Sequence, residues 1–127
     1  MALLVDIATL LTGETNKYYG DMPDTPNNVC VLYNNGGLDS QHVLGDGVAV
    51  SNENPLLQIL VRDTSYATAV TRCEAIKGQL DGKTSTTING NNYISIFMVG
   101  DIESLNRDSK NRITLLMNFK IKVKRGG

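Results

Sequence analysis

The run Gly36-Gly37-Leu38-Asp39-Ser40, two asparagines after the apolar stretch 29–33, holds the most chemical promise in this chain. Glycines that follow a strand can bring backbone N–H groups up to a phosphate, provided a helix begins there and turns its positive end inward. Residues 41–44 leave room for one helical turn before Gly45-Asp46-Gly47, so an ordinary turn is expected and a small nucleotide-binding module is the alternative. Carboxylates occur as loose pairs, Asp21 with Asp24 and Asp101 with Glu103. General acid–base work or a divalent ion needs such groups to converge in a cleft. Neither pair has calcium-loop spacing, and both read as solvated loop charge. His42 lies in a polar stretch with no nucleophile beside it and reads as a surface residue. Cys30 and Cys73, with a single histidine in the chain, cannot complete a four-ligand zinc set and read as reduced core residues. Lys120, Lys122, Lys124 and Arg125 line up as a basic stripe on the last predicted strand. Such a stripe can follow a phosphate backbone, but there is no Trp and the Tyr and Phe residues that could stack on bases are scattered. A partner-facing strand surface is the reading, with a nucleic-acid-binding module as the alternative. No catalytic, cofactor-binding or metal-binding set is expected, and no cofactor.

Several elements must position these residues. Leu3, Leu4, Ile7, Leu10 and Leu11 have the spacing of a one-sided helix over 2–11, with Gly13 as its C-cap. Residues 12–28 are polar, contain Pro23 and Pro26, and read as a loop into a strand over 29–33. The stretch 34–54 reads as loop with one candidate strand at 48–50, and a strand follows over 57–62. Asp63 or Thr64 is expected to cap a helix of about four turns. That helix would bury Tyr66, Ala69, Val70, Cys73, Ile76 and Leu80 and expose Arg72, Glu74 and Lys77. Asn89-Gly90 predicts a hairpin between 86–88 and 93–99, because both residues tolerate positive φ. After the charged stretch 100–112, eleven residues of strict alternation from Ile113 to Val123 predict a long strand. The order points to an α+β fold: a mixed, mainly antiparallel sheet with two helices on one face and a long C-terminal strand, in one domain over 1–127.

Composition narrows the function classes. The chain has 127 residues, 41% of them hydrophobic, which excludes a collagen, a coiled coil and a disordered chain. Its longest apolar stretch, 1–5, is far short of the roughly twenty residues of a membrane span. Asp6 stands where a signal peptide would need positive charge, so synthesis in a cytoplasm is expected. Twelve Lys and Arg against 13 Asp and Glu give a net charge of −1, so no global field gathers nucleic acid or anionic lipid.

Residue identity adds a resemblance. The opening Met1-Ala2-Leu3-Leu4-Val5-Asp6-Ile7-Ala8, the Met22-Pro23-Asp24-Thr25-Pro26 loop running into Val29-Cys30-Val31-Leu32-Tyr33, and Asn54-Pro55-Leu56-Leu57-Gln58-Ile59-Leu60-Val61-Arg62-Asp63 resemble the bacteriophage minor capsid protein family. Members of that family are similar in fold plan to tail terminators of long-tailed phages. The likeness spans nearly the whole chain and is weakest over 38–51. It implies a non-enzymatic virion protein of the tail–neck region, made in the bacterial host. Six subunits would form a ring that caps the tail tube, binds the tube protein and the head connector, and lets DNA pass without specific binding. Interaction residues are then expected among Lys120, Lys122, Lys124, Arg125, Asp101, Glu103, Asn106, Arg107, Asp39 and Gln41. The stretches 34–54 and 100–112 would be protruding docking loops. Six copies at −1 sum to −6, which fits a neutral or acidic lumen.

Overall fold

Strict alternation at the end of the chain produces the centre of the sheet. The strand Ile113–Lys124 buries Ile113, Leu115, Met117, Phe119, Ile121 and Val123 and turns the residues between them the other way. The computed structural model describes residues 3–12, 14, 16–42, 51–105 and 107–124. In chain order the elements are α1 (Leu3–Leu10), β1 (Lys17–Tyr19), β2 (Val29–His42), β3 (Ser51–Asp63), α2 (Tyr66–Leu80), β4 (Lys83–Ile88), β5 (Asn91–Ser104) and β6 (Ile113–Lys124). The strands form one sheet in the order β1-β2-β3-β6-β5-β4. Every neighbouring pair is antiparallel except β1 with β2, so the expected α+β fold with a mixed, mainly antiparallel sheet is the one observed.

Both helices lie on one face. Ile7 and Leu11 at the start of the chain, and Ala69, Cys73, Ile76 and Leu80 of α2, meet Leu32, Ile59, Val61, Met117, Phe119 and Ile96 in one buried cluster. Cys30 and Cys73 are both buried there as free thiols, as expected. Burial pushes the thiol pKa of each up to about 12, because a thiolate would lose its hydration in that cluster.

The charged or polar neighbours of this core are tied in specifically. Asp6 of α1 is fully buried and accepts from Tyr93 Oη at 2.6 Å, Asn89 Nδ2 at 2.7 Å and Asn91 Nδ2 at 3.1 Å. One carboxylate therefore latches the first helix to the β4–β5 hairpin. That hairpin turns through Asn89 (φ 51°) and Gly90 (φ 82°), as Asn-Gly predicts. Arg72 of α2 is not a solvated residue on the far face as expected. It is half-buried, with Nη2 2.6 Å from Glu14 Oε1 and Nη1 3.3 Å from Asp63 Oδ2.

Other expectations are corrected. The cap of α2 is Ser65, whose Oγ accepts from Thr68 N, whereas Asp63 ends β3 and uses its carboxylate on the N–H groups of Thr64 and Ser65. Tyr66 is exposed, one turn before the buried face begins. The loop over 12–28 contains β1, which lies parallel to Cys30, Val31 and Leu32 of β2. The stretches 34–54 and 100–112 are not wholly loops: β2 runs on to His42, β3 starts at Ser51, and β5 continues to Ser104. A ladder needs backbone groups, not apolar side chains, so polar residues paired to a formed strand extend it at little cost. Irregularity remains where the sequence invites it, with register shifts between Asn34 and Gly37, between Leu38 and Gln41, and between Val99 and Glu103. The candidate strand at 48–50 lies outside the described residues.

Candidate interaction surface

Residues paired across a ladder share a face, so the register defines what the sheet presents away from the helices. One row holds Val31, Leu60, Leu116 and Glu103; the next holds Tyr33, Gln58, Asn118 and Val99; the next holds Leu56, Lys120 and Phe97. Beyond them Ser95 pairs with Lys122, and Asn92 and Asn52 flank Lys124. This face is mostly apolar and uncharged polar, with its lysines gathered at one end.

One end of it is covered. Arg62 is 4% exposed, and its guanidinium donates to the carbonyls of Asn27 at 3.1 Å, Pro23 at 2.7 Å and Pro26 at 2.7 Å, folding the proline-containing loop over Val29 and Val31. Arg112, as deeply buried, places Nη2 2.7 Å from Asp108 Oδ2 and 3.2 Å from Asp24 Oδ1. Lys110 also pairs with Asp24. Hydrogen bonds from Arg112 hold the Asp108 carboxyl down at about 2, and those from Lys110 and Arg112 lower that of Asp24. Asp24 is thus exposed, as expected of a solvated loop charge, and also paired with Arg112 and Lys110. Burial lowers the pKa of Arg62, whose contacts are carbonyls; it is held by its four-sided cage of backbone oxygens and by the more distant Asp108 and Asp24.

The other end is open. A groove of about 330 Å³ is lined by Asn54, Ser95, Phe97, Lys120, Ile121 and Lys122. The β3–β6 ladder skips Asn54 and Pro55 at this point, as a proline without an N–H requires. Phe97 is 50% and Val99 49% exposed, large values for apolar side chains on a sheet. No ion pair joins Lys120, Lys122 or Lys124 to an acid among the described residues. The alternation of the last strand had marked these lysines; nothing local had marked Phe97 and Val99 as exposed, because they sit in a run of apolar residues that reads as core.

The remaining expected residues scatter. Asp101 and Glu103 are exposed on β5, beyond the point where β4 stops pairing at Ile96. Arg107 is exposed and donates to Asn111 O at 2.9 Å. Asp39 and Gln41 belong to the backbone of β2, with their side chains outside the described residues, as are Asn106 and Arg125. The Gly36-to-Ser40 run lies inside strand β2, not before a helix, so the geometry of a phosphate cradle is missing. Among the described residues no three His, Cys, Asp or Glu side chains gather to hold a metal ion, and no helix is long and apolar enough to cross a membrane.

Among the described residues, helices back one face of the sheet and the other face is open at the end that carries Phe97, Lys120 and Lys122. Over residues 3–125 the sequence matches the model of a family described as bacteriophage tail terminator protein, and the chain belongs to that family, a structural protein of the phage tail. Among solved structures it is similar to a chain from the virion of a native gene transfer agent particle, with a TM-score of 0.63 and 14% identity over 97% of this chain and 95% of that one. At that identity the likeness establishes a shared fold. None of the curated proteins matches the sequence.

Proposed function

We propose that this chain assembles as a six-membered ring on the end of the phage tail tube, stops tube growth there, and joins the tail to the head connector. The observation that carries the reading is the open end of the sheet, where the exposed Phe97 and Val99 of β5 lie on one face with three lysines of β6 that have no ion pair among the described residues. Exposed apolar side chains bounded by unpaired charge mark a contact surface. A ring also requires each subunit to present two different surfaces, since head-to-tail contacts close only by rotation. Lys120, Lys122 and Lys124, with Arg125, belong to one of them; Asp101, Glu103, Asn106 and Arg107, with Asp39 and Gln41 of β2, are the docking candidates elsewhere. DNA passes through without specific binding, in keeping with a net charge of −1 per chain.

Deleting the gene from its phage tests this. Tail tubes of uncontrolled length and filled heads without tails are expected, both repaired by supplying the wild-type chain. Tails of normal length joined to heads in the deletion would overturn the proposal.

A further inference from the structure

Beyond Ile96, β5 has β6 on one side and, among the described residues, no strand on the other. That free stretch carries Asp101, Glu103 and Leu105, alternate residues that are all exposed, Leu105 by 42%. Apart from Asp101 Oδ1, which accepts from the next residue's N–H, neither carboxylate has a partner among the described residues. Ile102 between them turns inward against the core. Two carboxylates at i and i+2 on a strand stand about 6.6 Å apart, and so do the ammonium groups' attachment points at Lys120 and Lys122. The two acids thus have the spacing of the groove's two lysines, and Phe97 stands beside Lys120 across the ladder.

Within one chain they cannot meet. Asp101 lies four residues beyond Phe97 on the same strand, up to about 13 Å away, past the register shift that follows Val99. We propose that the groove formed by Phe97, Lys120 and Lys122 receives the Asp101-to-Leu105 edge of a second copy of this chain. The inference rests on the ring reading, and supplies the two different surfaces that a head-to-tail contact needs. Its carboxylates meet the two lysines and Leu105 covers Phe97.

A charge-swap pair tests it by sedimentation. One variant carries Lys120→Glu and Lys122→Glu, the other Asp101→Lys and Glu103→Lys; circular dichroism verifies that each folds, and the neutral pairs K120Q/K122Q and D101N/E103Q stand in for any that does not. The wild-type chain is expected to self-associate beyond a dimer at millimolar concentration and low salt, and to dissociate as NaCl approaches about 1 M, where the screening length falls to ~3 Å. Each swap alone should weaken association about tenfold or more, because like charges then face each other. Mixing the two swaps should restore it, since every contact in an alternating assembly again joins opposite charges. A wild-type ring indifferent to both swaps would overturn this contact and leave the ring standing. A wild-type chain that stays monomeric, or a mixture no better associated than either variant, would overturn the contact as well, and only the deletion assay above would then decide the ring. Assembly that stops at a reciprocal dimer would overturn its head-to-tail order.

Discussion

Asp6→Ala removes the acceptor that joins α1 to the β4–β5 hairpin, and the size of the loss can be worked from its three bonds. A hydrogen bond to a charged group contributes ~1.5–3 kcal/mol when neither partner can turn to water. Tyr93 is fully buried and its hydroxyl, 2.6 Å from the carboxylate, loses that bond; it sets the scale at about 2 kcal/mol. Asn91 is half-buried and adds about 1 kcal/mol, whereas Asn89 is exposed and can exchange the carboxylate for water. Deleting a buried carboxylate also removes the cost of dehydrating it, which offsets part of the loss. The net expectation is a destabilisation of about 2–3 kcal/mol.

Urea unfolding followed by circular dichroism measures it. With a slope of ~2 kcal/mol per molar, usual for a small protein, the midpoint should fall by about 1–1.5 M while the slope stays unchanged. The double mutant with Tyr93→Phe separates the latch from the mere loss of a side chain. Residues that share a bond should show a coupling of about 1–2 kcal/mol, against additivity within ~0.5 kcal/mol for independent sites. An alanine variant that loses less than ~0.5 kcal/mol, or an additive cycle, would refute the idea that this carboxylate secures the first helix.

Acid should loosen the cover over the closed end of the sheet. The pKa of Asp108 is depressed from 3.8 to about 2, so its pairing with Arg112 is complete above the ordinary carboxylate value and is lost as pH falls from there through about 2. The Arg112 Nε–H resonance should therefore persist at the upper edge of that window and disappear at the lower; disappearance by pH 3.8 would contradict the pairing. Both cysteines, with thiols pushed up to about 12, should resist a thiol reagent at mildly alkaline pH until the chain unfolds, and prompt labelling of either would place it outside the core. Lys120→Glu with Lys122→Glu should change stability by only ~0.5 kcal/mol yet impair head–tail joining in a complementation assay. Filter binding to duplex DNA at physiological salt checks the passage reading: low-micromolar affinity that collapses in this double mutant would make the chain a nucleic-acid binder instead.

What could be read in the sequence was what short-range periodicity carries. The last strand declared both of its faces, because Ile113 to Val123 alternate apolar with polar residues at every step but Leu116. Asn89-Gly90 declared its turn through the φ angles both residues accept. Asp6 could not be read as a latch, since its partners lie 83 to 87 residues away and none is a charge that would advertise a pair. Arg62 was equally silent, because its acceptors are backbone carbonyls, which every residue has. The cap expected at Asp63 or Thr64 falls to Ser65, since pairing with Ile113 holds Asp63 in β3. Residues 34–42 looked like loop because their composition is polar; their strand comes from the ladder with β3, a long-range fact.

The division of labour between the two faces of one sheet suits its central strands to the proposed contact surface. Lys120 and Lys122 stand on β6, whose intervening residues Phe119, Ile121 and Val123 are fully buried and whose neighbours β3 and β5 pair with it on both sides. Side chains on such a strand are held by a backbone that cannot shift without breaking two ladders and the core beneath. A surface fixed in advance loses less freedom on docking than a mobile loop would, so more of each contact's energy remains as affinity. The cost falls on the acid segment of β5, where Gly100 at φ 75° and the register shift after Val99 bend the edge. That bend discourages indiscriminate strand pairing at an unprotected edge. It leaves charge and shape, and not open backbone, to select the partner.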